Sequence, residues 1–257
     1  MNGLNKEEIF QQQTQYLSEY GKTWTQKTKH KLERCIDYLF EYLSDVSKEP
    51  FTVSFSIKGK KYNKTFTPPI SIKVSDKLFQ SYSCIDYGCS KCCWYVGYYN
   101  IFTYNQFSDS VLKYKDEKYD KYVEFASVFV NSSPKQLMIQ DHTNSICSHM
   151  REQKCMIHEE NPIHCAFPLM RVYRVKGTTM ITRVPFGRNS RYMKCPVKFE
   201  ECTQESVDFS IYLLKRLEKF GNEMGIRTRV PEIIEQIENR WLEIKCKTKP
   251  LDFKQNI

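Results

Sequence analysis

The chain has 257 residues, with 39 lysines and arginines against 30 aspartates and glutamates, so its formal net charge is +9. Hydrophobic residues make up 40% and aromatic residues 14%, which argues against disorder over most of the chain and suits one domain with a sizeable core. No run approaches the ~18 consecutive apolar residues of a membrane span, and the polar start lacks a secretory apolar stretch. We therefore expect a cytoplasmic protein with no membrane partner.

The cysteine and glycine contents narrow the function classes. Eleven cysteines in a chain without an export signal should stay reduced, and reduced cysteines in clusters favour metal ligation over disulfides. The nine glycines include no G-x-G pair, and Gly21-Lys22-Thr23 lacks the preceding glycine of a Walker A loop. The G-x-S-x-G and H-E-x-x-H patterns are also absent from the sequence. These absences argue against P-loop, Rossmann, serine-hydrolase and zincin chemistry.

The spacing of apolar residues predicts the elements of the first third of the chain. Residues 7–20 and 25–43 are predicted to be helical, and the second helix has one apolar face made of Leu32, Cys35, Ile36, Leu39 and Leu43. From residue 51 the apolar period changes to two. This change predicts a β-hairpin of residues 51–57 and 62–66 that turns at Lys58-Gly59-Lys60. The alternation continues through Ile70, Ile72 and Val74.

The rest of the chain is predicted to hold short strands, irregular loops and two closing helices. Most cysteines lie in residues 83–202, where residues 171–184 are predicted to form a hairpin turning at Lys176-Gly177. A helix is predicted over residues 204–220, with Val207, Ile211, Leu214 and Leu217 on one apolar face. Another is predicted from Pro231 onward, with Ile233, Ile234, Ile237 and Trp241 buried. We therefore predict a single α+β domain. It has N-terminal helices (1–48), a small antiparallel sheet (hairpin region 51–75), a cysteine-rich metal core (83–202) and C-terminal helices (204–246).

Eight cysteines form the candidate metal constellation. The first four follow the spacing C-x4-C-x2-C-C, the next three C-x7-C-x9-C, and one more precedes a proline: Cys84, Cys89, Cys92, Cys93, Cys147, Cys155, Cys165 and Cys195. A two-residue gap brings two thiolates to one metal. Adjacent side chains in extended backbone point to opposite sides. Cys92 and Cys93 would therefore bind two separate metal centres more easily than a single one. These eight cysteines fit two four-sulfur sites, or one cluster with accessory thiols. Whether Cys202 is also a ligand stays open.

These cysteine blocks resemble the YkgJ-like, or CxxCxxCC, family of zinc- or iron-chelating proteins, which includes flagellin lysine N-methylases. The first block looks like the family's opening cluster. The second, Cys147-SHMREQK-Cys155-MIHEENPIH-Cys165-AFP, is similar to its later block, and Pro162 and Phe167-Pro168 match it. Two arginines of that pattern are replaced by Asn161 and Ala166. The resemblance covers about residues 83–196 and implies metal binding, with methyl transfer from S-adenosylmethionine as the activity of some relatives.

A basic stretch accompanies the later cysteines, since residues 161–199 contain no aspartate or glutamate. A four-thiolate zinc site or an oxidised [4Fe-4S] cluster carries a charge of about −2, so two centres would need about four positive charges nearby. We expect the arginines of this stretch to bind the anionic cofactor: Arg171, Arg174, Arg183, Arg188 and Arg191. A solvated hairpin face and an anion or nucleic-acid surface are the alternatives.

Three functions remain open from the sequence. The first is an iron–sulfur enzyme that methylates lysines of a protein substrate with S-adenosylmethionine. The second is a non-catalytic structural or carrier protein that chelates zinc or iron in closed four-ligand sites. The third is a nucleic-acid-binding module with a structural metal. Asp86 and Tyr87 lie between the first two cysteines and are either near the metal or simply part of a solvated loop.

Overall fold

The computed structural model describes residues 26–57, 60–80, 99–103, 123–141, 150–151, 154–155, 171–182 and 201–248. These ranges hold the helices α1 (Gln26–Ser44), α2 (Gln204–Met224) and α3 (Val230–Thr248), and one 3-10 turn, Asp76–Leu78. Their strands are β1 (Phe51–Ile57), β2 (Lys60–Phe66), β3 (Ser71–Val74), β4 (Tyr99–Thr103), β5 (Val123–Val130), β6 (Ser133–Asp141), β7 (Met150–Arg151), β8 (Lys154–Cys155), β9 (Arg171–Val175) and β10 (Thr178–Thr182). The predicted α+β class is confirmed. The predicted helix over residues 7–20 lies outside the described ranges.

The larger sheet has five antiparallel strands in the order β2-β1-β5-β6-β4. The predicted first hairpin is confirmed, with Phe51 opposite Phe66. A second hairpin joins β5 to β6 through Asn131 and Ser132, whose positive φ values of 47° and 67° suit a two-residue hairpin turn. The Asn131 side chain accepts a hydrogen bond from the Thr52 backbone N–H at 2.9 Å. This contact ties the turn to β1.

The smaller sheet has three strands in the order β3-β10-β9. The predicted hairpin of β9 and β10 is confirmed, and its turn residues Lys176 and Gly177 have φ values of 48° and 80°. Strand β3 does not extend the first hairpin but pairs in parallel with β10. Pro68 and Pro69 precede β3, and a proline has no N–H to donate to a ladder. The chain therefore leaves the larger sheet at this point and joins the smaller one.

The core lies where the three helices pack on the sheets, and the predicted helix faces supply it. On α1, Ile36, Leu39 and Leu43 are buried. The apolar faces predicted for the other two helices are confirmed at their central positions, with the buried residues Val207, Leu214, Leu217, Ile233, Ile237 and Trp241. Phe40 of α1 packs against Phe51 and Phe66 of the first hairpin, with ring centroids 6.2 Å apart in both pairs. Helix and hairpin therefore share one core.

Local sequence explains where α2 begins and ends. The Thr203 hydroxyl accepts a hydrogen bond from the Ser206 backbone N–H at 3.2 Å, which satisfies one of the free N–H groups of the first turn. Gly225 follows the last turn in the left-handed conformation, with a φ of 74°. Pro231 lies in the first turn of α3, where a proline is tolerated. Among the described helices, none is long and apolar enough to cross a membrane.

Candidate metal centre

The structure places one of the eight predicted ligands within its described ranges. Cys155 ends β8, which pairs with β7 so that Cys155 lies opposite Met150. This short ladder turns the chain back on itself within the second cysteine block, between Cys147 and Cys155. The other predicted ligands lie outside the described residues: Cys84, Cys89, Cys92, Cys93, Cys147, Cys165 and Cys195. Asp86 and Tyr87 lie outside them too. Within the described part of the chain, no group of three or more His, Cys, Asp or Glu side chains could hold a metal ion.

The described residues bring the two ends of the cysteine-rich segment together. Gln80 and Cys202 form an isolated antiparallel bridge. Beside it, the Thr203 backbone N–H donates to the Phe79 carbonyl oxygen at 2.9 Å. In sequence, Gln80 lies four residues before Cys84, and Cys202 lies seven residues after Cys195. The chain therefore enters and leaves the segment of residues 81–200 at adjacent points of the fold.

Side chains from both C-terminal helices fix this junction. The Arg240 guanidinium of α3 donates to both carboxylate oxygens of Asp76, at 2.8 and 2.9 Å, in the two-pronged geometry that arginine favours. The Ser210 hydroxyl of α2 donates to the Leu78 carbonyl oxygen at 3.1 Å. The Phe79 ring stacks on Trp241 of α3 with centroids 5.8 Å apart. The turn that leads into the first cysteine block is thus held from two helices.

Cys202 itself is an exposed free cysteine. Partial burial raises the pKa of its thiol, and the nearby Asp76 carboxylate raises it further. A raised pKa means that the thiol holds its proton more tightly, so metal ligation by Cys202 would have to displace that proton. The role of Cys202 therefore stays open, as the sequence left it.

The structure describes two of the five arginines that were predicted to bind an anionic cofactor, Arg171 and Arg174. Arg171 begins β9, whereas Arg183, Arg188 and Arg191 lie outside the described residues. The Arg174 guanidinium contacts Oδ1 of Asp45 through two nitrogens, at 2.8 and 3.0 Å. A third nitrogen donates to the Thr67 carbonyl oxygen at 2.8 Å. In this structure, the negative charge that pairs with Arg174 is therefore the Asp45 carboxylate, which directly follows helix α1.

Asp45 is the charged residue of this region that sequence reasoning missed. Burial raises the pKa of its carboxyl, while the Arg174 guanidinium and the Thr179 hydroxyl oppose that effect without cancelling it. The sequence did carry a signal. Asp45 directly follows α1, a helix with no basic residue in its last turn, so the carboxylate needs a cation from elsewhere in the fold.

Comparisons with known proteins add no relative to this picture: no family model, no curated protein and no solved structure matches the chain. The resemblance to the YkgJ-like family therefore remains a prediction that depends on the cysteine pattern.

Proposed function

We propose that this protein binds metal through its cysteine cluster. The observation that carries the proposal is the first block, in which four cysteines fall within ten residues with the spacing C-x4-C-x2-C-C. Cys84, Cys89, Cys92 and Cys93 supply this block, and the later cysteines complete a set of eight with Cys147, Cys155, Cys165 and Cys195.

The described fold supports a centre that gathers distant parts of the chain. The Gln80–Cys202 bridge holds the ends of the cysteine-rich segment together, and the hairpin of β7 and β8 reverses the chain next to Cys155. A metal that collects ligands from such loops contributes its binding energy to folding. We therefore propose that the centre is structural as well as functional.

We further propose that the metal is iron, in one or two iron–sulfur clusters. Adjacent cysteines such as Cys92 and Cys93 suit ligation of two centres, and a reducing compartment keeps the thiolates available. The acid-free residues 161–199 supply cations that lower the cost of about −2 of charge per cluster. Because zinc also accepts four thiolates, a zinc-chelating structural or carrier protein is the alternative that the first experiment distinguishes.

The activity that we propose for an iron–sulfur form is transfer of a methyl group from S-adenosylmethionine to a lysine of a protein substrate. Its support is the resemblance to flagellin lysine N-methylases. The chain has no glycine-rich cofactor loop, so the donor would bind by another route, such as the cluster itself. Titration of anaerobically purified protein with S-adenosylmethionine tests this activity, and absence of binding to metal-loaded protein refutes it.

The test of metal binding is elemental analysis of anaerobically purified protein together with its visible absorbance. We expect iron and acid-labile sulfide in stoichiometric amounts and a broad absorbance from thiolate-to-iron charge transfer. Stoichiometric zinc with a colourless protein would support the chelating alternative. Protein that is free of both metals after reconstitution would refute the proposal.

Cysteine variants locate the site. We expect Cys92→Ser and Cys93→Ser each to lose metal, because each removes a ligand from the first block. Cys246→Ser is the matched control, since Cys246 lies in α3, outside the predicted ligand set. Full metal content in both block variants, or equal loss in the control, would contradict the assignment.

A further inference from the structure

One end of the smaller sheet exposes two aliphatic side chains. Ile70, just before β3, is 86% exposed, and Val175, the last residue of β9, is 56% exposed. Both lie at the end of the sheet where Lys176 and Gly177 make the turn of the β9–β10 hairpin. We call Ile70, Val175, Lys176 and Gly177 the hairpin tip. A large aliphatic side chain that is held almost wholly in water is a candidate contact residue.

The hairpin tip is held in a fixed shape. The Ile70 backbone N–H donates to the Gly177 carbonyl oxygen at 2.9 Å, and Ser71 and Thr178 join their hydroxyl oxygens at 2.9 Å. The Ile70 side chain lies over Gly177 so closely that a Cβ at residue 177 would come within 2.8 Å of its Cδ1 atom. Gly177 also has a φ of 80°, which glycine adopts easily. Glycine at this position therefore allows both the turn and the close approach of the Ile70 side chain.

The two segments that form the hairpin tip carry only basic charged residues. Residues 67–75 and 171–182 contain no aspartate or glutamate. Lys176 is exposed in the turn, and Lys73 is exposed two residues beyond Ser71 on β3. The nearest cation on the other side of the sheet, Arg174, is neutralised by Asp45. The hairpin tip therefore combines two exposed aliphatic side chains with exposed lysines.

We propose that the hairpin tip docks on the surface of an anionic phospholipid bilayer. In this arrangement Ile70 and Val175 enter the boundary between headgroups and acyl chains, while Lys73 and Lys176 contact lipid phosphates. Lysines are depleted from protein–protein interfaces but favour anionic bilayers. Two aliphatic residues and two lysines give weak, reversible binding. Such contact needs no spanning helix, so it is compatible with described helices that are too short or too polar to cross a membrane.

Vesicle cosedimentation of the full chain tests the proposal. The probes are vesicles of phosphatidylcholine with phosphatidylserine and vesicles of phosphatidylcholine alone, at low ionic strength. We expect binding to the anionic vesicles that added salt weakens. The double variant Ile70→Ser/Val175→Ser should lose about tenfold in affinity, since both side chains lose their apolar contact. Because both side chains are exposed, this variant should keep its thermal unfolding profile.

Two further variants complete the test. Leu242→Ser is the matched control, because Leu242 is a 59% exposed aliphatic residue on α3, and its binding should equal that of the unsubstituted protein. Lys73→Glu/Lys176→Glu should lose binding to anionic vesicles. Equal binding to both vesicle types, or none, would overturn the proposal. So would loss in the lysine variant with full retention in Ile70→Ser/Val175→Ser, which would mark a general polyanion surface.

Discussion

Helix α1 and the pair α2–α3 share one hydrophobic core but are stabilised in different ways. Acidic residues recur at every fourth position along α1 and just beyond its end, at Glu33, Asp37, Glu41 and Asp45. Like charges at this spacing cost an isolated helix about 0.2–0.5 kcal/mol per pair, and the last turn of α1 has no basic residue. In contrast, α2 has its own N-cap and C-cap, and α3 has Glu232 in its first turn.

The sheets supply the cations that the C-terminal half of α1 lacks. Lys64 of β2 contacts Asp37 at 2.7 Å and Glu41 at 2.8 Å. The Tyr62 hydroxyl donates a hydrogen bond to Asp37. Burial and this hydrogen bond raise the pKa of Tyr62, so its phenol remains a donor. Residues next to α2 and α3 in the sequence therefore stabilise the ends of these helices. Asp37 and Glu41 of α1 and the following Asp45, in contrast, are neutralised by cations from β2 and β9.

The substitutions with the largest expected effect test whether α1 differs from α2 and α3 only in its charges or also in its apolar packing. We expect Phe40→Ala in α1 and Phe220→Ala in α2 each to lower the free energy of unfolding by about 3–5 kcal/mol, because both rings are fully buried and leave cavities. Urea denaturation measures both losses. Leu242→Ala, at an exposed position of α3, is the control and should stay within about 0.5 kcal/mol. A small loss for only one of the two phenylalanines would mean that the helices also differ in apolar packing.

The next effect isolates the ion pair between Asp45 and Arg174. We expect Arg174→Met to cost about 1–2 kcal/mol, because it leaves a mostly buried carboxylate without its cation, and the pair is only partly screened by solvent. Asp45→Asn should cost little, and the double variant should recover most of the loss of Arg174→Met. Chemical denaturation of the four proteins measures the cycle. Additive losses would show that the two side chains do not stabilise each other.

The pH dependence of the same pair has a defined sign. Because the pKa of Asp45 is raised in the folded protein, the folded state binds the proton more tightly than the unfolded state. This group's contribution to stability is therefore fully present below its ordinary pKa and is lost as the pH rises through the raised value. Asp45→Asn should match the unsubstituted protein at about pH 3 and be at least as stable at about pH 7. A variant that loses stability only at neutral pH would contradict this sign.

A smaller effect tests the local specification of α2. We expect Thr203→Ala to lower the free energy of unfolding by about 1 kcal/mol, because the Ser206 backbone N–H loses its acceptor. Thr203→Ser retains the hydroxyl and should keep most of the stability. Thermal or urea unfolding measures both variants. If serine proves as costly as alanine, packing of the threonine methyl group, rather than the cap, would be the cause.

The smallest expected effect tests the cation that β2 supplies to α1. We expect Lys64→Met to cost about 0.3–1 kcal/mol at low ionic strength, and most of this loss should vanish at about 1 M salt because the ion pairs are partly exposed. Lys61→Met is the matched control, since Lys61 is an exposed lysine on the same strand. A loss that is equal in the control, or that salt leaves unchanged, would remove the electrostatic account of α1.

Apolar spacing predicted much of the fold, because it reports directly which face of an element is buried. It predicted α1 with Ile36 and Leu39 inside, the hairpin that pairs Phe51 with Phe66, and the turn at Lys176-Gly177. It did not predict the β5–β6 hairpin, although Asn131 is a typical residue for a turn with positive φ. Of the candidate site, the metal constellation stays a prediction. Arg174 was predicted to bind an anionic cofactor, and its pairing with Asp45 was not foreseen.

The sequence by itself determined the α+β class, the buried faces of the helices and the start of α2, because each depends on residues close together in the chain. Only the tertiary structure decided that β3 joins β10, that Asp45 meets Arg174 across 129 positions and that Gln80 lies beside Cys202. The physical reason is that periodicity shows which side of an element is apolar but carries no information about its partner. The cysteine-rich segment begins and ends at the Gln80–Cys202 bridge, and no local pattern in the sequence could indicate this contact.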